Sequence, residues 1–77
     1  MKVTVKFFGM IAEATGVNSI AADNISDTLS LVHFLENDFP KIAQHKYAIA
    51  INKKLITGNV KLMEGDEVAL LPPFAGG

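Results

Sequence analysis

The 77-residue chain has no cysteine. That excludes disulfides, iron–sulfur ligation and a protein thiol nucleophile. It has no arginine either: all seven basic residues are lysines, so no planar guanidinium is on hand for bidentate contacts to phosphates or base edges. Eight acidic residues bring the formal net charge to −1, which leaves no field to attract nucleic acid. No apolar run is long enough to span a bilayer, and Met1-Lys2 leads straight into alternation rather than into the apolar stretch of a secretory signal. These absences fit a reducing, cytoplasmic setting, with no membrane and no nucleic-acid partner. Internal repeats, Gly-rich phosphate loops and nucleophile–base constellations are also missing. The two histidines, His33 and His45, have no matched spacing to other ligands, so no metal site is expected. Asn24-Ile25-Ser26 fits a glycosylation sequon that stays idle without secretion.

What remains is 49% hydrophobic, enough for one small globular domain with a modest core. Val3, Val5 and Phe7 alternate with Lys2, Thr4 and Lys6, the period of a half-buried strand. Phe8 breaks the alternation by placing an aromatic on the lysine side. Met10 to Thr15 reads as a helical turn or loop closed by Gly16, and Val17 to Ala22 as a second strand with Val17 or Ile20 available for the core. Ser26 and Asp27 are N-cap candidates. Thr28, Leu31, Val32, Leu35 and Phe39 behind them share one face of a 3.6-period helix, which Pro40 ends. Asp23, Asp27, Glu36 and Asp38 suit caps and solvated charges better than an acid–base pair. Tyr47, Ile49 and Ile51 alternate with Ala48 and Ala50. Turns at Asn52-Lys53, Gly58-Asn59 and Glu64-Gly65-Asp66 set off a short strand at Lys54–Ile56 and a last strand at Glu67–Leu71. The order predicts an α+β, two-layer β-grasp domain over residues 1–71, a mixed sheet of four to five strands with one main helix on one face.

Residues 72–77 read as an extended, flexible tail. Pro72 and Pro73 stop the strand, since neither has an N–H for a ladder. Phe74, Ala75, Gly76 and Gly77 then form a slim thread that carries the α-carboxylate on a residue with no Cβ. In β-grasp pairing, the outward residues Phe8, Ala50, Ala69 and Leu71 would make one flat apolar patch at the root of this tail, the mark of an interface.

Gly65-Asp66-Glu67-Val68-Ala69-Leu70-Leu71-Pro72-Pro73-Phe74-Ala75-Gly76-Gly77 resembles the C-terminal part of the ubiquitin-like sulfur carriers, and in particular the small subunits of molybdopterin synthases. Val5-Lys6-Phe7-Phe8-Gly9 and Ala50-Ile51-Asn52 are similar to segments of the same family, and the likeness runs over nearly the whole chain. The resemblance implies a non-catalytic, sulfur-donating subunit that binds no cofactor itself. An adenylating partner would use ATP on the Gly77 carboxylate, and a sulfur donor protein would turn the adenylate into a thiocarboxylate. The tail, Pro72 to Gly77, would then enter a large catalytic subunit and give its sulfur to a pterin precursor, building the dithiolene of molybdenum cofactor. Glycines at 76 and 77 keep the thread narrow enough for such a pocket. The thiamine-pathway sulfur carriers share the fold and the Gly-Gly end, and a ubiquitin-like modifier joined to lysines, or an interaction domain with an inert tail, stands beside them. Isopeptide-linked products would mark the modifier, and absence of ATP-dependent tail chemistry the inert domain.

Overall fold

The computed structural model describes residues 2–73; Met1 lies outside the described residues, as do Phe74, Ala75, Gly76 and Gly77 and the roles expected of them. Alternation makes β1 (Val3–Phe7), with Val3, Val5 and Phe7 buried and Thr4 and Lys6 exposed. A short helix, α1 (Gly9–Thr15), follows. It is two turns long rather than one, and it puts Ile11 into the core. Gly16 ends it in the left-handed region at φ 79°, with its N–H donated to the Ala12 carbonyl, a conformation that glycine adopts at no steric cost. β2 (Ser19–Ala22) starts two residues later than the sequence suggests; Ile20 packs against the core while Val17 stays exposed.

The main helix, α2 (Thr28–Asp38), has Asp27 as its N-cap, whose side chain accepts from the Ser30 N–H. Thr28, Leu31 and Leu35 are buried, and Phe39 is the C-cap. The buried Thr28 is satisfied: its hydroxyl accepts from the Val60 N–H at 2.9 Å and donates to Asn59 Oδ1 at 3.1 Å. Asn59 Oδ1 also accepts from the Leu29 N–H at 2.9 Å, and its amide donates to Asp27. The helix start is therefore capped from its own chain and from the loop before residue 60. Past Pro40, a 3₁₀ turn over Pro40–Gln44 buries Ile42, an element the sequence reading left out.

β3 (Ala48–Ile51), β4 (Lys54–Ile56) and β5 (Glu67–Leu71) complete a five-stranded sheet in the order β2-β1-β5-β3-β4. β1 and β5 pair in parallel, and the other neighbours are antiparallel. This is the expected β-grasp. The last strand lies in the middle of the sheet, between β1 and β3. One core cluster joins Val3, Val5, Phe7, Val68 and Leu70 of the inner sheet face to Ile11, Leu31, Leu35 and Ile42 of the helical layer, with Ile49 and Ile51 packed against it. The rings of Phe7 and Phe39 meet edge to face, 5.8 Å between centroids. None of the described helices is long and apolar enough to cross a membrane.

Candidate functional site: the outer sheet face and the tail root

Side chains alternate across a sheet, so the strand pairs that bury one row expose the other. The register sets Lys6 beside Ala69, Ala69 beside Ala50, and Ala50 beside Leu55, one row across four strands. The next row holds Ala48 beside Leu71. Phe8 sits just past β1 and donates its N–H to the Leu70 carbonyl at 3.2 Å, next to that second row. Phe8 is 43% exposed and Leu55 70% exposed, while Ala69 and Leu71 are half-buried. The predicted patch is thus brought together, with one change. Ala50 lies on this face, but its methyl is only 5% exposed, because Ala69 and Leu55 flank it in the row. It forms the floor rather than the contact surface. Ala48 and Leu55 belong to the face and were missed. Their signal was present in the alternation: Leu55 falls between Lys54 and Ile56, and Ala48 is in phase with Ala50.

Charge borders the patch on one side. Lys6 Nζ lies 2.5 Å from Glu67 Oε2. The Lys6 hydrogen bond, and then its charge, hold the Glu67 carboxyl below its ordinary value. Both side chains are substantially exposed, so this pair fixes the edge of the apolar area more than it stabilises the fold. Lys6 and Phe8, with Phe7, Asn18 and Ser19, also line a shallow hollow of about 300 Å³. Pro72 is half-buried and Pro73 exposed, both outside any strand. The strand therefore stops at Leu71, at the end of the apolar rows.

Of the other candidates, Asp27 is a cap, and hydrogen bonds from Ser30 and then Asn59 keep its carboxyl below its usual value. Glu36 accepts from the Tyr47 hydroxyl at 2.9 Å, and burial followed by this acceptor pushes the phenol upward. Among the described residues no three of His, Asp and Glu gather as metal ligands.

A mixed sheet in this order, closed over one main helix with its last strand at the centre, defines a ubiquitin-like β-grasp protein. The chain belongs to the ThiS family, which its residues 5–77 match. It is 33% identical over 82 residues to the molybdopterin synthase sulfur carrier subunit of Mycobacterium tuberculosis, covering 100% of this chain and 99% of that one. It also resembles a chain in the complex of subunits 1 and 2 of molybdopterin-converting factor from Helicobacter pylori, at 31% identity and a TM-score of 0.77 with both chains fully covered. The small archaeal modifier protein 1 of Haloferax volcanii shares the fold, with a TM-score of 0.82 at 20% identity over 95% of this chain and 98% of that one.

Proposed function

We propose that this chain is the sulfur carrier subunit of a molybdopterin synthase, that its chemistry takes place at the carboxyl of Gly77, and that the domain serves to deliver it. The observation that carries this reading is the full-length relationship to a sulfur carrier subunit, which includes the tail. The apolar outer face at the root of that tail supports it.

A carboxylate is a poor electrophile until one oxygen becomes a leaving group. Its attack on the α-phosphate of ATP, in an adenylating partner, releases pyrophosphate and gives an acyl adenylate. A persulfide on a donor protein then displaces AMP to give an acyl disulfide, and a thiol reductant cleaves its S–S bond, leaving the thiocarboxylate and the donor's thiol. That sulfur passes to a pterin precursor in the large subunit. The catalytic acids, bases and phosphate ligands belong to the partners, and this chain holds no cofactor. Phe8, Ala69, Leu71 and Leu55 dock on the large subunit, whose pocket takes Pro72 to Gly77. A cytoplasmic location suits a chain that works with ATP and soluble partners. The 31% identical chain solved together with its subunit 2 favours the molybdopterin reading over the thiamine carrier.

The test uses the protein with its adenylating enzyme, ATP and a sulfur source. Intact-mass spectrometry should show one oxygen exchanged for sulfur, and the product should convert a pterin precursor to a dithiolene when the large subunit is added. Removing Gly77 shortens the thread by roughly 3.3 Å, and a misplacement of about 1 Å already costs roughly 100-fold in rate, so the truncated chain should be inactive with unchanged melting. Dithiolene formation by that chain would overturn the reading, and wild type recovered mainly in isopeptide bonds would replace it with the modifier.

A further inference from the structure

The corner between β1 and α1 grips the root of the tail at two points. One is the Phe8 N–H on the Leu70 carbonyl. The other is packing: Gly9 adopts φ +56°, and a Cβ there would lie 3.0 Å from Cγ of Pro72, 3.6 Å from Cδ and 3.8 Å from Cβ. Pro72 cannot rotate its ring away as a flexible side chain would, because the ring is closed on its own backbone nitrogen. Gly16, Gly58 and Gly65 also have positive φ, yet a Cβ on any of them would meet open space. Gly9 alone of these four combines the left-handed backbone with a close neighbour, and that neighbour is the first residue of the tail.

We infer that Gly9 is a positioning residue: with no side chain, it lets the Pro72 ring lie against the corner and so sets the direction in which the C-terminal segment leaves the domain. This rests on the carrier reading above. Adjacent prolines have both φ angles fixed, so a tilt at Pro72 is passed on through Pro73. Gly77 lies five positions beyond Pro72, a reach of up to about 17 Å. If a partner's pocket held the thread extended over that reach, a tilt of about 5° at the root would shift its end by about 1.5 Å, more than a tight reaction pocket tolerates.

Two properties of Gly9 must be separated, its backbone angle and its missing Cβ. Gly9→Asn does this, since Asn accepts the left-handed region better than other side chains but brings a Cβ against Pro72. The variant should fold and bind the large subunit as wild type does, while single-turnover sulfur transfer from the preloaded thiocarboxylate falls about 10-fold or more. Pro72→Ala removes the ring atoms that a Cβ would strike. The double variant Gly9→Asn/Pro72→Ala should therefore be no slower than Pro72→Ala alone, a coupling that independent sites do not show. A wild-type transfer rate for Gly9→Asn, rate losses that multiply in the double variant, or a loss confined to binding would overturn the inference. So would the absence of a nuclear Overhauser contact between Gly9 Hα and Pro72 Hγ in the wild-type protein. Wild type that transfers no sulfur would bring down the carrier reading itself.

Discussion

The side-chain amide of Asn52 donates to Oδ1 of Asp66 at 2.9 Å, bridging the β3–β4 turn and the turn that starts β5. Its carbonyl oxygen accepts from the Glu67 N–H at 3.0 Å, and its own N–H donates to the Glu67 carbonyl at 2.8 Å. Asp66 in turn accepts from the Met63 N–H at 2.8 Å. Asn52 and Lys53 make a two-residue hairpin turn with φ of 49° and 74°, the pattern in which Asn-Gly is favoured. Asn52→Ala should lose the bridge and strain the turn, costing about 1–3 kcal/mol. Lys53→Gly should stabilise by about 1 kcal/mol, because the left-handed angle is unstrained for glycine. Urea denaturation checks both; a neutral Asn52→Ala would show that the turn holds β5 in place without its side chain.

Leu35 is fully buried between α2 and the sheet. Leu35→Ala should cost about 2–5 kcal/mol, a large share of the roughly 5 kcal/mol expected for so small a domain. Chemical denaturation with the midpoint unchanged would take Leu35 out of the core and contradict the helix register.

Periodicity was enough to read β1, α2 and β5, because each has one face buried and the other wet. The spacing of Leu31 and Leu35 or of Val68 and Leu70 records that burial directly. Ile42 was not legible: a 3₁₀ turn of five residues is too short to show a period, and Pro40 reads only as a stop. Val17 misled because its β-branched side chain suits a strand, whereas pairing with β1 starts at Ser19. At the candidate site the outward row was legible from alternation, but the burial of Ala50 was not. A small side chain in a central row is covered by neighbours that only the sheet order brings beside it. The Gly9–Pro72 contact joins residues 63 positions apart in sequence, and no local pattern announces it.

The N-cap makes stability depend on pH. Asp27 has its carboxyl lowered from an ordinary 3.8 by Ser30 and then Asn59. A carboxyl with a lowered native pKa contributes stability that is complete above its ordinary value and is lost as pH falls through the lowered one. Asp27→Ala should therefore melt below wild type at neutral pH, and the gap should narrow as pH drops below about 3.8. Thermal melts of both proteins across the acid range test this. A gap that stays constant to the lowest pH would mean that the Asp27 charge does not contribute to the cap.

Docking should read out the outer face in graded form. Phe8 stands exposed beside the tail root, Leu71 ends the strand that carries the tail, and Leu55 lies on the far edge strand. Charge on an apolar contact loses the contact and must itself be desolvated. Residues at the centre of an interface carry most of its energy, with losses of about 2 kcal/mol or more on truncation. Phe8→Asp should thus weaken binding to the large subunit by about 30-fold or more, and Leu71→Asp likewise. Leu55→Asp, three strands away from β1, should cost less. Ala50→Asp belongs to another class, because a carboxylate on that closed floor has no room and should destabilise the domain itself. Calorimetric titration of each folded variant gives the affinities, and thermal melts show which remain folded. Unchanged affinity for Phe8→Asp and Leu71→Asp would make the apolar rows ordinary surface. If Leu55→Asp proved the most damaging, the partner would sit over β3 and β4, away from the tail it is meant to receive.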